Sequence, residues 1–108
     1  MTDGIQEISP KDLKARQDRG DDLFILDVRE PHEYQICNLN GTLIPLGQLP
    51  RRVDELDSSR EMVVHCRSGK RSADAIQFLQ KAGFKKLWNL KGGVLAWSDE
   101  VDPSMPKY

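Results

Sequence analysis

At 108 residues the chain has room for one domain around one modest hydrophobic core, and not for two. Sixteen basic and seventeen acidic side chains nearly cancel, which excludes a global field for nucleic acid or another polyanion and leaves only a local basic patch. The longest apolar run, 23–26, is far short of the about 20 residues a membrane helix needs, and MTDGIQEIS carries no signal pattern, so a cytoplasmic chain is expected.

In chain order, ISPKDLKARQDRG predicts a capped helix: Ser9 at the N-cap, Pro10 in the first position, Asp12 in the first turn and Gly20 as the stop. Ile8 and Leu13 are spaced as a hydrophobic staple. Residues 22–28, DLFILDV, form a short continuous apolar run, the pattern of a strand buried on both faces. EPHEYQI predicts a short helix, 42–44 a brief strand, and LPRRVDEL a helix with Leu49, Val53 and Leu56 on one face. EMVVHC predicts a second buried strand ending at Cys66. RSADAIQFLQKAG places Ala75, Ile76, Leu79 and Ala82 at helical spacing and ends at Gly83. KKLWNL predicts a further strand and GGVLAWSDEV a last helix. This alternation implies a single α/β domain over 1–108, with a central, mostly parallel sheet and helices on both faces; 1–4 and 103–108 are expected as extended or frayed ends.

The chemistry concentrates in VVHCRSGKRS, residues 63–72, where a strand delivers a thiol into a loop carrying Arg67, Lys70 and Arg71. In a parallel α/β sheet, ligands bind beyond the carboxyl ends of the strands. The loop leads straight into a helix N-terminus, whose unpaired N–H groups favour an anion, and Gly69 lets the chain curl so that several amides point inward. Inward amides and the three cations are expected to stabilise the Cys66 thiolate. Such a loop suits attack on an anionic substrate and retention of a charged adduct.

Other candidates read as structural. Two cysteines are few for a disulfide-stapled secreted domain, so Cys37 and Cys66 are expected as free thiols, with Cys37 a packing residue. His65 neighbours Cys66 on a strand and so points to the opposite face. His32, Cys37, His65 and Cys66 lack metal-ligand spacing, and no metal is expected. Trp97 reads as core, and Lys11, Lys14, Arg51, Arg52, Asp54 and Glu55 as solvated helix faces.

Three separated motifs resemble the rhodanese-like domain family of sulfurtransferases. ILDVREPHEY (25–34) is similar to the family signature D-V-R-E-x-x-E-Y, HCRSGKRS to its active-site loop, and NLKGGVLAW (89–97) to its closing glycine pair and tryptophan. One segment departs: where the family has G-H-I-x-G-A-x-x-I-P, CNLNGTLIP keeps only the glycine and Ile44–Pro45. The tail AWSDEVDPSMPKY resembles the C-terminal rhodanese domain of adenylating enzymes of the MoeB and ThiF type, which pass sulfur to small carrier proteins.

The resemblance implies that Cys66 takes sulfane sulfur from thiosulfate or a persulfide, carries it as a covalent persulfide with no cofactor, and hands it to a thiol, cyanide or a sulfur-carrier protein. Arg67, Ser68, Gly69, Lys70, Arg71 and Ser72 form the substrate-binding loop, with Arg67 and Lys70 suited to a leaving sulfonate and Arg71 to the same role or to capping the loop. Asp27 and Arg29 match a supporting pair that orients the loop, or else form a surface pair at the strand end. An adenylating enzyme or sulfur-carrier protein is the implied partner; neither nucleic acid nor membrane is expected.

Two other classes compete. A Cdc25-like phosphatase or arsenate reductase uses a C-x5-R cradle, but here the arginine falls one residue early, at Arg71, and Ser72 takes its place. A non-catalytic binding module of the same fold would have no use for a thiol among cations.

Overall fold

The computed structural model describes residues 4–108; the expected fraying of 1–3 lies outside these residues. Five strands, β1 (Gln6–Ile8), β2 (Phe24–Asp27), β3 (Thr42–Leu43), β4 (Met62–His65) and β5 (Leu87–Leu90), form one parallel sheet in the order β1-β5-β4-β2-β3. Four helices connect them, α1 (Pro10–Asp18), α2 (Pro31–Ile36), α3 (Leu49–Arg52) and α4 (Lys70–Lys81), and a fifth, α5 (Gly93–Glu100), follows β5.

The sheet divides the core into two clusters. On one face Leu26, Met62 and Val64 pack with Leu49 of α3 and with Ala75, Ile76 and Leu79 of α4. On the other, Val63 and Leu90 pack with Leu13 of α1 and Trp97 of α5. Alternation along β4 thus feeds both layers, which is why Met62, Val63 and Val64 are apolar in succession.

α1 begins as its sequence dictates. Ser9 Oγ accepts a 3.0 Å hydrogen bond from the Asp12 amide, Pro10 occupies the first turn, and Ile8 and Leu13 are both buried in the same cluster.

Several details differ from expectation. Strand β1 has no counterpart in the sequence reading; only Ile8 of its three residues is buried. The 49–56 helix is a four-residue α-turn flanked by 3-10 turns at 46–48 and 53–55. Ala82 is exposed because α4 has already ended at Lys81. Cys66 lies one residue beyond β4 rather than in it. The tail 103–108 is not a frayed end: it folds back so that Tyr108 bonds Arg29, Glu33 and Arg67.

The chain after β2 continues to β3 and the chain after β4 to β5, in opposite directions across the sheet. The carboxyl ends of β2 and β4 therefore flank a switch point, the place where such sheets bind ligands.

Candidate active site

Cys66 stands at that switch point. Beyond it the chain turns through Gly69, whose φ of +109° is a conformation that side-chain-bearing residues rarely adopt, and enters α4 at Lys70. The turn brings amides back onto the sulfur: Sγ accepts from the Gly69 N–H at 3.1 Å and the Ser72 N–H at 3.4 Å, and Ser72 Oγ lies 3.4 Å away.

α5 holds the loop from behind. The Val94 and Leu95 amides, in its first turn, donate to the Cys66 and Arg67 carbonyls at 3.1 and 3.2 Å. β5 contributes Asn89, whose amide reaches both Ser72 Oγ and the Gly69 carbonyl.

Cys66 is 1% exposed. Burial on its own pushes the thiol up, but contact with the Ser72 side chain and hydrogen bonds from the Ser72, Gly69 and Ser68 amides outweigh it, so the thiol is more acidic than usual.

The cations act differently from expectation. Arg67 turns outward, its Nε donating to the Tyr108 carbonyl at 2.6 Å and its guanidinium stacking on the Tyr108 ring at 5.2 Å. Lys70 is exposed at the start of α4. Arg71 gains from the sulfur's charge, but its main partner is Glu33, reached by bonds of 2.7 and 2.8 Å. Main-chain donors, not a ring of cations, hold the thiolate.

Arg71 in turn holds the Glu33 carboxyl at about 2, helped by the Glu30 amide and the Tyr108 hydroxyl against the opposing effect of burial. Glu33 belongs to the D-V-R-E-x-x-E-Y stretch, a signal that could have marked it.

Asp27 and Arg29 form a wholly buried pair rather than a surface one, with Nε and Nη2 of Arg29 on the two carboxylate oxygens at 3.0 and 2.7 Å. Arg29 extends to the Cys37 carbonyl at 2.8 Å and to the Tyr108 hydroxyl at 2.8 Å. Its bonds go to these groups instead of the 66–72 loop, so its link to Cys66 runs through Tyr108, Glu33 and Arg71.

His65 points to Asp27 at 3.7 Å, and neither ring nitrogen is hydrogen-bonded. Burial drives its pKa down to about 4, so it is neutral at physiological pH. Cys37 is buried and both cysteines are free. Trp97 is buried in the α1–α5 layer, as expected of a core residue.

This architecture and loop define a class. A family model described as the rhodanese-like domain matches residues 9–100, and the chain belongs to that family. A sulfurtransferase of Allochromatium vinosum is 33% identical over 95 residues, covering 87% of this chain and 89% of that protein. Maize MOCS3-2, named an adenylyltransferase and sulfurtransferase, is 34% identical over 109 residues, covering 94% of this chain but 23% of its own length. YrkF of Bacillus subtilis is 38% identical over 99 residues; the match covers 91% of this chain and about half of that protein, 54%. Among solved structures, a rhodanese-related protein of Thermoplasma volcanium superposes with a TM-score of 0.78 at 31% identity, covering 89% of this chain and 93% of that one.

Among the described residues, no helix is long and apolar enough to cross a membrane.

Proposed function

We propose that Cys66 is the nucleophile of a sulfur transfer that runs through a covalent persulfide. The thiolate attacks the outer sulfur of thiosulfate; the new S–S bond forms as the old one breaks, and its electron pair leaves with sulfite. Cys66 then carries an outer sulfur with the negative charge, and no cofactor enters the balance. An acceptor thiolate attacks that outer sulfur, takes it as a new persulfide and returns Cys66 as thiolate; cyanide would collect it as thiocyanate. A persulfide donor serves in place of thiosulfate by the same displacement.

The observation that carries this reading is the convergence of the Gly69 and Ser72 amides on Sγ. Donors preorganised around a sulfur anion stabilise the attacking thiolate and, one bond further out, the charged adduct. Arg67 and Lys70, exposed on the loop, receive the departing sulfite in this reading, Arg67 after leaving the Tyr108 carbonyl. The engagement of Arg71 with Glu33 counts against a phosphatase, which needs a guanidinium directed into the cradle. The names of maize MOCS3-2 and of YrkF, called a sulfur carrier protein, support an adenylating or sulfur-carrier protein as partner.

Intact-mass measurement after thiosulfate treatment tests the reading. One added sulfur atom, removed by dithiothreitol and absent from Cys66→Ser, is expected; no adduct, or an adduct that survives in Cys66→Ser, would overturn it.

A further inference from the structure

Asn89 sits on β5, next to the edge strand β1, and is buried beside the cradle. Its Nδ2 donates to the Gly69 carbonyl at 3.1 Å, and its Oδ1 lies 2.6 Å from Ser72 Oγ. A carbonyl oxygen only accepts, so the amide nitrogen has to face Gly69 and the amide oxygen Ser72. The amide oxygen also only accepts, so Ser72 is the donor of that short bond. A serine owns one hydroxyl proton. At the 3.4 Å contact between Ser72 Oγ and Cys66 Sγ, the proton in the neutral state therefore comes from the thiol.

We infer that Asn89 is a positioning residue that withholds the single hydroxyl proton of Ser72 from the Cys66 sulfur. The inference deepens the sulfur-transfer reading and rests on it for its functional meaning. When Cys66 ionises, one proton faces two acceptors. Turning it to the sulfur leaves the buried Asn89 Oδ1 without a donor, and keeping it on Asn89 leaves the thiolate to the amides alone. Either way the pair holds back the empty thiolate. In the persulfide the charge lies on the outer sulfur, so Sγ no longer competes and Ser72 stays on Asn89. The loaded state escapes the competition.

The brace to Gly69 does not reverse the sign, because the Gly69 carbonyl has a second donor in the Ala73 amide at 3.2 Å. Arg67, Lys70, Arg71, Asp74 and Lys81 are the charged groups on the loop and α4, the last two exposed on the helix. From the elements packed around them, Glu33 pairs with Arg71, while His65 and the Asp27–Arg29 pair lie at the ends of β4 and β2. An apolar substitution at Asn89 leaves all of these in place.

The test is the pH dependence of Cys66 alkylation by iodoacetamide, read at the Cys66 peptide, in Asn89→Leu and Asn89→Asp. Asn89→Leu is expected to lower the midpoint and raise the thiolate fraction at pH 7 about three- to tenfold. Asn89→Asp is expected to raise it, since a carboxylate grips the Ser72 proton harder and adds a negative charge. In a Ser72→Ala background the Asn89→Leu shift should vanish. If Asn89 merely braced the loop, Asn89→Leu would raise the midpoint and would do so with or without the Ser72 hydroxyl; that result overturns the inference. Should Asn89→Leu fail to fold, Asn89→Ala carries the same expectation. Alkylation reads acidity without any sulfur donor, so failure here is separable from failure of the wild-type protein to take up sulfur.

Discussion

A side chain placed at Gly93 would put its Cβ 2.6 Å from the carbonyl oxygen of Cys66 and 2.4 Å from that of Arg67. The start of α5 thus lies flat against the backbone of the cysteine loop, close enough for the Val94 and Leu95 amides to hold those same carbonyls. Gly93 also has a φ of +62°, so an added methyl meets both a clash and a disfavoured backbone. Gly93→Ala is expected to destabilise the fold by about 2–4 kcal/mol and to displace the loop, slowing Cys66 alkylation. Thermal unfolding and alkylation rate check this; an unchanged melting temperature would contradict the close approach.

Glu33 joins α2 to α4 through Arg71, and its carboxyl titrates at about 2 instead of the ordinary 4.5. A depressed carboxyl contributes stability that is fully present above 4.5 and is lost as pH falls toward 2. Glu61, bound to Arg16 and the Trp88 indole, is likewise held at about 2 and acts in the same window. Glu33→Gln is expected to cost about 1–2 kcal/mol at pH 7 and much less at pH 2.5. Urea midpoints at the two pH values measure the difference; an equal loss at both would show that the charge on Glu33 is not what binds Arg71.

The Asp27–Arg29 pair is sealed, and Arg29 spends its remaining donors on the Cys37 carbonyl and Tyr108. Removing the carboxylate strands a guanidinium with no water to solvate it. Asp27→Ala is expected to lose about 3–5 kcal/mol, more than Asp27→Ala with Arg29→Met in the same chain. Chemical denaturation of single and double variants gives the coupling. Additive losses would mean the two residues act independently.

Where the signal is local, the chain is legible. The 66–72 loop is contiguous, and thiol, glycine and helix start can be read from spacing alone. β2 and β4 are apolar up to their last residues, Asp27 and His65, because both faces are covered, and α4 shows its repeat at Ala75, Ile76 and Leu79. What escapes is either short or distant. β1 is an edge strand of three residues whose Gln6 and Glu7 are exposed, so it has no apolar pattern and exists through pairing with β5. Tyr108 meets Glu33 and Arg29 across 75 and 79 residues, and Asn89 meets Ser72 across 17. No periodicity encodes such contacts. Adjacency in sequence points the cations to the sulfur, but adjacency fixes neither where a long side chain points nor that Glu33 and Tyr108 will intercept it.

His65 supplies the last test, at milder acidity. Its ring is buried, has no hydrogen-bond partner, and lies 3.7 Å from Asp27 while Arg29 opposes a second positive charge nearby. In the unfolded chain it takes a proton near its ordinary 6.5; in the fold it resists until about 4. The unfolded state therefore binds the extra proton first, and stability falls as pH drops from 6.5 to 4, by about 3 kcal/mol at most. This window lies above that of Glu33, so the two can be told apart on one curve. His65→Asn, which stays neutral throughout, is expected to flatten the stability profile between 6.5 and 4 while leaving the lower limb. A slope that persists in His65→Asn would assign the loss to another group and overturn this account.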